Sequence, residues 1–150
     1  MNDPQCPSRV CPFSAAPLAF RMLAAADAVE EHLERALGRV GLSLAKFKVL
    51  AKLVEVGEPL ALGGLAEHSS CVRSNMTQLV DRLETDKLVV RMDDPADRRS
   101  VRAALTPSGR ERHAEGAHAL ATAEGEVFAS FSDDDRATLE SLILRLVETA

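Results

Sequence analysis

Aromatic residues are scarce in this chain of 150 residues: five are Phe, and there is no Trp and no Tyr. A core without large rings is built mostly from Leu, Val and Ala, which favours helix packing over a β-sandwich. Hydrophobic residues still make up 46% of the chain, which is ordinary for a globular protein. At this length the chain is expected to form one domain with a sizeable core.

Long apolar runs are also missing. No stretch approaches the roughly 20 apolar residues that a membrane-spanning helix needs. The N-terminus has no basic region followed by an apolar stretch, which a secretory signal would show. We therefore expect a cytoplasmic protein with no membrane partner.

The chain lacks the motifs that mark most enzymes. There is no nucleophile elbow, phosphate-binding loop, zinc motif or Gly-rich nucleotide fingerprint. The histidines show no metal-ligand spacing, and a solvated role is expected for each of them: His32, His68, His113 and His118. The sequence therefore predicts neither an enzyme nor a bound cofactor.

What the chain does contain is a helix, a turn, a second helix and a two-stranded hairpin in succession. The segments are Leu65–His68, the turn Ser69–Ser70, Val72–Glu84, and two β-prone runs, Leu88–Met92 and Val101–Leu105, around a charged tip at Asp93–Ser100. This order is typical of a winged helix-turn-helix, which places one helix in a DNA groove and a hairpin beside it. The fold expected is mainly α with a small β-wing.

The segments LAEHSSCVRSNMTQLVDRLE (Leu65–Glu84) and DDPADRRSVRAALTPSGR (Asp93–Arg110) resemble the MarR family of bacterial transcription regulators. The resemblance implies a homodimer that binds a pseudo-palindromic operator in double-stranded DNA. It also implies that a small-molecule effector or thiol oxidation changes the affinity for DNA, as expected of a repressor.

The chain divides into three regions on this interpretation. Residues 1–16 hold prolines and two cysteines without periodicity, and are expected to form a flexible arm. Residues 17–42 and 107–150 carry amphipathic helices whose apolar stripes are expected to pack against a second subunit. The alternative is that these helices fold back on one another within one chain. Residues 43–106 form the winged helix-turn-helix, with a further short strand expected at Leu60–Leu62.

Several helix ends have recognisable capping residues. Ser43 is expected to cap a helix that the turn at Gly57–Pro59 closes. Thr106 and Pro107 are expected to open a long helix after the wing. Ser132 with Asp135 is expected to form the capping box of the last helix.

The second helix of the motif has two faces. Apolar residues recur at helical spacing and are expected in the core: Val72, Met76, Leu79, Val80 and Leu83. The outer face then carries the candidate DNA-binding residues Arg73, Ser74, Thr77 and Gln78. Arg suits guanine, Gln suits adenine, and Ser and Thr suit phosphates or base edges. The alternative is an ordinary solvated face, or a winged helix that contacts only proteins.

The wing tip contains three charged residues with different expected roles: Asp97, Arg98 and Arg99. One arginine, with Arg98 preferred, reaches a narrow minor groove, and the other touches phosphate. A carboxylate is repelled by phosphate, so Asp97 is expected to pair with an arginine and stabilise the wing.

The formal net charge of −5 is unusual for a DNA-binding protein. The distribution of charge along the chain explains part of this, because several basic residues fall in the winged region. They are Arg73, Arg82, Lys87, Arg91, Arg98, Arg99 and Arg102. An acidic body with a local basic face predicts binding that weakens steeply with salt.

Three cysteines are candidate redox residues: Cys6, Cys11 and Cys71. Cys71 stands where the family usually has Val, so a buried structural thiol is the alternative there. Cys6 and Cys11 precede prolines in the arm and have only Arg9 as a close basic neighbour, so a lowered thiol pKa is not assured. A tail whose thiols have no function competes with redox sensing.

Overall fold

The structure, a computed structural model, describes residues 17–68, 73–94 and 100–149. These ranges contain six helices and three strands. The helices are α1 (Leu18–Gly38), α2 (Leu44–Val56), α3 (Leu62–His68), α4 (Arg73–Thr85), α5 (Pro107–Val127) and α6 (Asp133–Thr149), and the strands are β1 (Leu60–Ala61), β2 (Val89–Asp93) and β3 (Val101–Leu105). The expected fold class, mainly α with a small β-wing, is confirmed.

The helix ends follow the predicted capping residues. Ser43 precedes α2 and its hydroxyl accepts a hydrogen bond from the amide of Lys46 at 3.2 Å. Gly57 ends that helix in the left-handed region at φ 76°, where a side chain would be strained. Thr106 caps α5 in the same way, accepting from the amide of Gly109 at 2.9 Å with Pro107 in the first turn.

The last helix opens on a reciprocal pair. The amide of Asp135 donates to the Ser132 hydroxyl at 3.2 Å, and the amide of Ser132 donates to the Asp135 carboxylate at 3.1 Å. These hydrogen bonds lower the pKa of Asp135. The capping box predicted at these two residues is therefore present.

The three strands form one antiparallel sheet in the order β1-β3-β2. Leu60 pairs with Ala103 in β3, and Val89 pairs with Leu105 across the hairpin. The short third strand predicted at Leu60–Leu62 is present, but it stops one residue early because Leu62 already begins α3. The first helix of the motif thus starts three residues before the predicted Leu65 and contains both glycines of the segment.

The core joins α2, α3, α4 and the sheet with the end of α1. Its buried members are Leu37, Leu42, Val49, Leu50, Leu53, Leu65, Ala66, Met76, Val80, Leu83, Leu88, Val89 and Ala103. None is aromatic, as the scarcity of aromatic residues predicts. This core belongs to the winged part of the chain, and it positions α4 and the hairpin together.

The flanking helices are much less buried. None of the 17 residues of α6 is buried, and its apolar side chains lie exposed: Leu142, Ile143, Leu144, Leu146 and Val147. Leu18, Phe20 and Leu23 near the start of α1 are exposed as well. Within the described ranges, no helix combines the length and apolar character needed to cross a bilayer.

Gly109 sits where α5 passes closest to the sheet. A Cβ atom there would lie 2.1 Å from the backbone oxygen of Leu88, and backbone cannot move aside as a side chain would. We expect Gly109→Ala to lower the free energy of unfolding by more than about 2 kcal/mol. Urea denaturation measures the change.

Gly125→Ala is the matched control on the same helix, because nothing lies within 4 Å of a Cβ at that position. It should stabilise the protein by up to about 1 kcal/mol through helix propensity. Equal effects of the two substitutions would contradict the close approach at Gly109.

Candidate nucleic-acid interface

Helix α4 has one buried and one exposed side. Met76, Val80 and Leu83 are fully buried, whereas Thr77 and Gln78 are exposed, which is where the helical spacing places them. Asn75 is exposed too, although the sequence reasoning did not select it. It stands one residue before buried Met76 at the edge of the outer face, so periodicity alone leaves its side ambiguous.

The other predicted site residues are described in part or not at all. The backbone of Arg73 and Ser74 forms the first turn of α4. The wing-tip residues Asp97, Arg98 and Arg99, and the three cysteines Cys6, Cys11 and Cys71, lie outside the described residues. Their roles stay predictions.

Arg91 of β2 connects the wing to α4. Its guanidinium forms ion pairs with Asp81 and, at 3.6 Å, with Glu84, and donates a hydrogen bond to the backbone carbonyl of Thr77 at 3.2 Å. Its backbone amide also donates to the Glu84 carboxylate at 3.2 Å. One arginine thus holds three positions along the same side of α4. We call this group, Arg91 with Thr77, Asp81 and Glu84, the Arg91 clamp.

A second arginine ties the base of the wing together. Arg102 of β3 donates from Nε to the Asp94 carboxylate at 2.7 Å and reaches the carbonyl of Pro59 at 3.5 Å. Asp94 is only 7% exposed, and its pairing raises the pKa of Arg102. The Asp94 amide donates to the Ser100 carbonyl at 3.1 Å, across the base of the tip. Sequence reasoning assigned a wing-stabilising role to Asp97 and missed Asp94.

These contacts correct the predicted basic face. Arg91 and Arg102 were both counted in it, but their charges are offset by neighbouring carboxylates. Lys46 of α2 is paired in the same way, 2.6 Å from Asp86. Exposed positive charge in the described winged region is therefore smaller than composition predicts, while Arg82 and Lys87 remain exposed.

The winged part meets α5 in a close-packed joint. The ring of His113 stacks on Phe47 of α2, with centroids 5.1 Å apart and planes 9° from parallel. A Cβ at Gly116, one turn along, would lie 2.8 Å from the same Phe47 ring. Arg112 donates to the Val40 carbonyl at 2.7 Å. Small residues and hydrogen bonds therefore fill this junction.

Two histidines depart from the solvated role expected of them. His113 is half-buried in the joint, and this desolvation lowers its pKa below the ordinary value of 6.5. His32 of α1 lies 3.0 Å from the Glu126 carboxylate of α5. His118 is exposed, as predicted. In the described ranges no cluster of three or more His, Cys, Asp or Glu side chains is arranged to hold a metal ion.

Two cavities lie between the flanking helices. One, of about 360 Å³, lies between α5 and α6, and its lining includes Phe128, Arg136 and Ile143. The other, of about 290 Å³, lies between α1 and α5 and is mostly apolar apart from Glu124, with Val29 and Leu120 among its walls. Both volumes are near the lower end of the range for small-molecule sites.

Comparison with known proteins points to one family. Residues 42–101 match the model of the MarR family. The chain is 32% identical over 110 residues to YsmB of Bacillus subtilis, which is named as an uncharacterized HTH-type transcriptional regulator. The aligned residues cover 73% of this chain and 75% of YsmB. It is 31% identical over 134 residues to the transcriptional activatory protein BadR of Rhodopseudomonas palustris, covering 87% and 77% of the two chains.

A solved structure agrees with these relatives. Sco3205 of Streptomyces coelicolor, described as a MarR family transcriptional regulator in complex with DNA, superimposes with a TM-score of 0.76 at 29% identity. The superposition covers 88% of this chain and 85% of Sco3205. The relatives are thus transcription regulators rather than enzymes.

The joint between α2 and α5 should make stability depend on pH. Because folding lowers the pKa of His113, the folded state favours the neutral ring. Its stabilising effect is complete above the unfolded-state pKa of 6.5 and is lost as the pH falls below that value through the lowered pKa of the folded state. We expect His113→Phe, which keeps a stacking ring but cannot titrate, to reduce the loss of unfolding free energy between pH 8 and pH 5.5.

The control is His118→Gln, which alters an exposed histidine on the same helix. Urea denaturation at both pH values compares the variants with the parent chain. An unchanged pH dependence in His113→Phe would contradict the assignment to this ring.

Proposed function

Because the chain belongs to the MarR family of transcription regulators, we propose that it acts as a homodimer that binds specific operator sequences in double-stranded DNA. Residues 43–106 make the DNA contacts, and residues 17–42 and 107–150 join the two subunits. A small ligand or thiol oxidation then changes the affinity for DNA. The arm expected at residues 1–16 lies outside the described residues.

The exposed face of α4 carries this proposal. Thr77 and Gln78 lie on it, and Arg73 and Ser74 belong to its first turn. Gln78 has the donor and acceptor needed for an adenine edge in the major groove, and Asn75 offers the same groups. The amides of the first turn of a helix attract phosphate. The buried stripe opposite fixes which side meets DNA.

The wing supplies the second contact. Strands β2 and β3 pair as far as Asp93 and Val101, and Arg102 with Asp94 closes the base of the tip. We infer that Arg98 enters the minor groove and Arg99 contacts phosphate, with Asp97 as a further stabilising acid. A winged helix that binds only proteins is the competing function, and it needs no arginine at the tip.

Dimerisation is supported by the apolar surface that the single chain leaves exposed. The side chains of Ile143 and Leu146 on α6 are 47% and 45% exposed, and Phe20 on α1 is 60% exposed. Covering such a surface with a second copy removes apolar area from water on both subunits. The two copies of α4 then lie about 34 Å apart, one turn of DNA, as a pseudo-palindromic operator requires.

The effector is proposed to be a small, largely apolar molecule bound among the flanking helices. The cleft between α1 and α5 supports this, because apolar side chains line it and Glu124 adds one polar group. A ligand changes the DNA affinity only if it binds more tightly to one spacing of the two α4 helices in the dimer. Oxidation of Cys6, Cys11 or Cys71 is the second candidate signal.

Repression is the direction of control that we propose, through an operator that overlaps a promoter. Activation is the second candidate, since the relative BadR is named a transcriptional activatory protein. A promoter fused to a reporter gene separates the two. Deleting the regulator raises reporter expression under repression and lowers it under activation.

The proposed DNA contacts predict two different effects of mutation. Gln78→Ala should lower affinity for the operator about tenfold while leaving binding to a scrambled duplex unchanged, because a base contact contributes about 1–3 kcal/mol of discrimination. Arg99→Ala should reduce the dependence of log K on log salt by about 0.9 per subunit, because the phosphate contact proposed for Arg99 is lost.

Fluorescence anisotropy provides both measurements, with a duplex selected from a random library by the parent protein and the DNA upstream of the protein's own gene. Arg39→Ala, at an exposed arginine outside the winged region, is the charge control and should change neither quantity. Peroxide-treated and reduced samples test the thiols together. Absence of salt-sensitive binding to any duplex would favour the protein-binding alternative.

The dimer interface predicts a sharp contrast between two exposed apolar residues. Ile143→Glu should weaken dimerisation roughly 100-fold or more, because it buries an unpaired carboxylate twice across a two-fold axis. Sedimentation equilibrium should then give a mass near the 16.2 kDa of one chain. Val90→Glu is the control, since Val90 is equally exposed at 46% but lies on β2. A dimeric Ile143→Glu protein would place the interface elsewhere.

A further inference from the structure

The Arg91 clamp has a role that its charge alone does not reveal. Arg91 belongs to the basic set of the winged region, and a basic residue there is expected to contact phosphate. Its side chain is 28% exposed, however, and its guanidinium already faces Asp81 and Glu84. Two carboxylates beside one guanidinium leave a local excess of negative charge, which phosphate avoids.

We infer that Arg91 is a positioning residue: it sets the orientation of α4 relative to the wing, so that base readout and wing contact occur on the same DNA site. This inference rests on the proposed function. It assigns the residue to specificity and not to electrostatic attraction.

The contact with Thr77 is the first argument. Arg91 donates to the backbone carbonyl of Thr77, and not to its side chain, at 3.2 Å. Thr77 itself lies beside Gln78 on the exposed face of α4 that is proposed to contact bases. A hydrogen bond to the main chain fixes the helix at the turn that reads bases, whatever side chains the face carries.

The spacing of the clamp is the second argument. Thr77, Asp81 and Glu84 are four and three residues apart, so they follow one side of α4 through two turns. Contacts at both ends of this line resist rotation and tilt of the helix, which a single ion pair would not do. The planar guanidinium makes several of these contacts together, and a lysine ammonium has no comparable fixed geometry.

The position of Arg91 in the hairpin is the third argument. Arg91 pairs with Ala103 of β3 in the hairpin, one residue from the Arg102 that holds the wing base through Asp94. The clamp and the wing base thus share the same strands. The side chains of Arg91 and Arg102 point to opposite faces of the sheet, so the backbone pairing of β2 and β3 connects the wing base to α4.

The decisive experiment neutralises an acid of the clamp. Removing a negative charge near DNA strengthens binding when electrostatics alone governs affinity. The clamp predicts the opposite for a specific site: Asp81→Asn should bind the selected operator about tenfold more weakly, an effect within the range of coupled side-chain networks. Its binding to a scrambled duplex should stay equal or increase. The ratio of the two affinities is therefore the quantity to measure.

Asp86→Asn is the matched control. It also removes an acid beside the end of α4 and breaks an ion pair with another element, Lys46 of α2, but leaves the clamp intact. Its affinity ratio should match that of the parent chain. Arg91→Lys and Arg91→Gln should both lower the ratio while the salt dependence of operator binding stays unchanged, whereas loss of a phosphate contact would reduce that slope by about 0.9.

The outcomes separate the two hypotheses. A parent protein that does not distinguish operator from scrambled duplex overturns the proposed function, and the clamp with it. A parent protein that does distinguish them, together with an Asp81→Asn variant that binds both more tightly at an unchanged ratio, overturns the clamp alone. Circular dichroism melts confirm that each variant is folded at the temperature of the binding assay.

Discussion

The burial of one stripe of α4 is the constraint on which the rest of the site depends. Met76, Val80 and Leu83 have no exposed surface, and burying each contributes about 1.5–3 kcal/mol relative to leaving it in water. Surface ion pairs contribute about 0–1 kcal/mol each. The aliphatic stripe therefore decides which side of α4 faces outward. Burial thus selects the outward side of α4, and the Arg91 contacts are proposed to set the orientation of that side relative to the wing.

Helix α5 links the winged helix-turn-helix to the flanking helices. Its cap residue Thr106 follows β3 directly and donates from its hydroxyl to the Leu88 carbonyl at 3.0 Å. Gly109 then allows the helix to approach the sheet, and Gly116 allows it to approach Phe47 of α2. With backbone contacts at one point and a stacked ring at the next, α5 is packed closely against the winged part. The effector proposed between α1 and α5 would act on the wing through this joint.

Local signals in the sequence were sufficient for most of the fold. Capping residues marked the starts of α2, α5 and α6, and periodicity identified the buried stripe of α4, because these depend on residues a few positions apart. Contacts between distant segments were not predictable in the same way. Arg91 and Arg102 looked like DNA-binding cations, since nothing in their neighbourhood shows that folding places them against Asp81 and Asp94. The stacking of His113 on Phe47, 66 positions away, has no local signal either.

On the proposed function, the pairing of these arginines reconciles a net charge of −5 with specific DNA binding. Free basic residues attract any phosphate backbone, so they raise specific and nonspecific affinity together. Acids on the reading helix itself, Asp81 and Glu84, reduce this general attraction. Their partner Arg91 turns the same carboxylates into contacts that orient the helix. The proposed arrangement would lower nonspecific affinity while preserving the geometry needed for base contacts. The ratio of specific to nonspecific affinity determines occupancy of an operator among many competing sites.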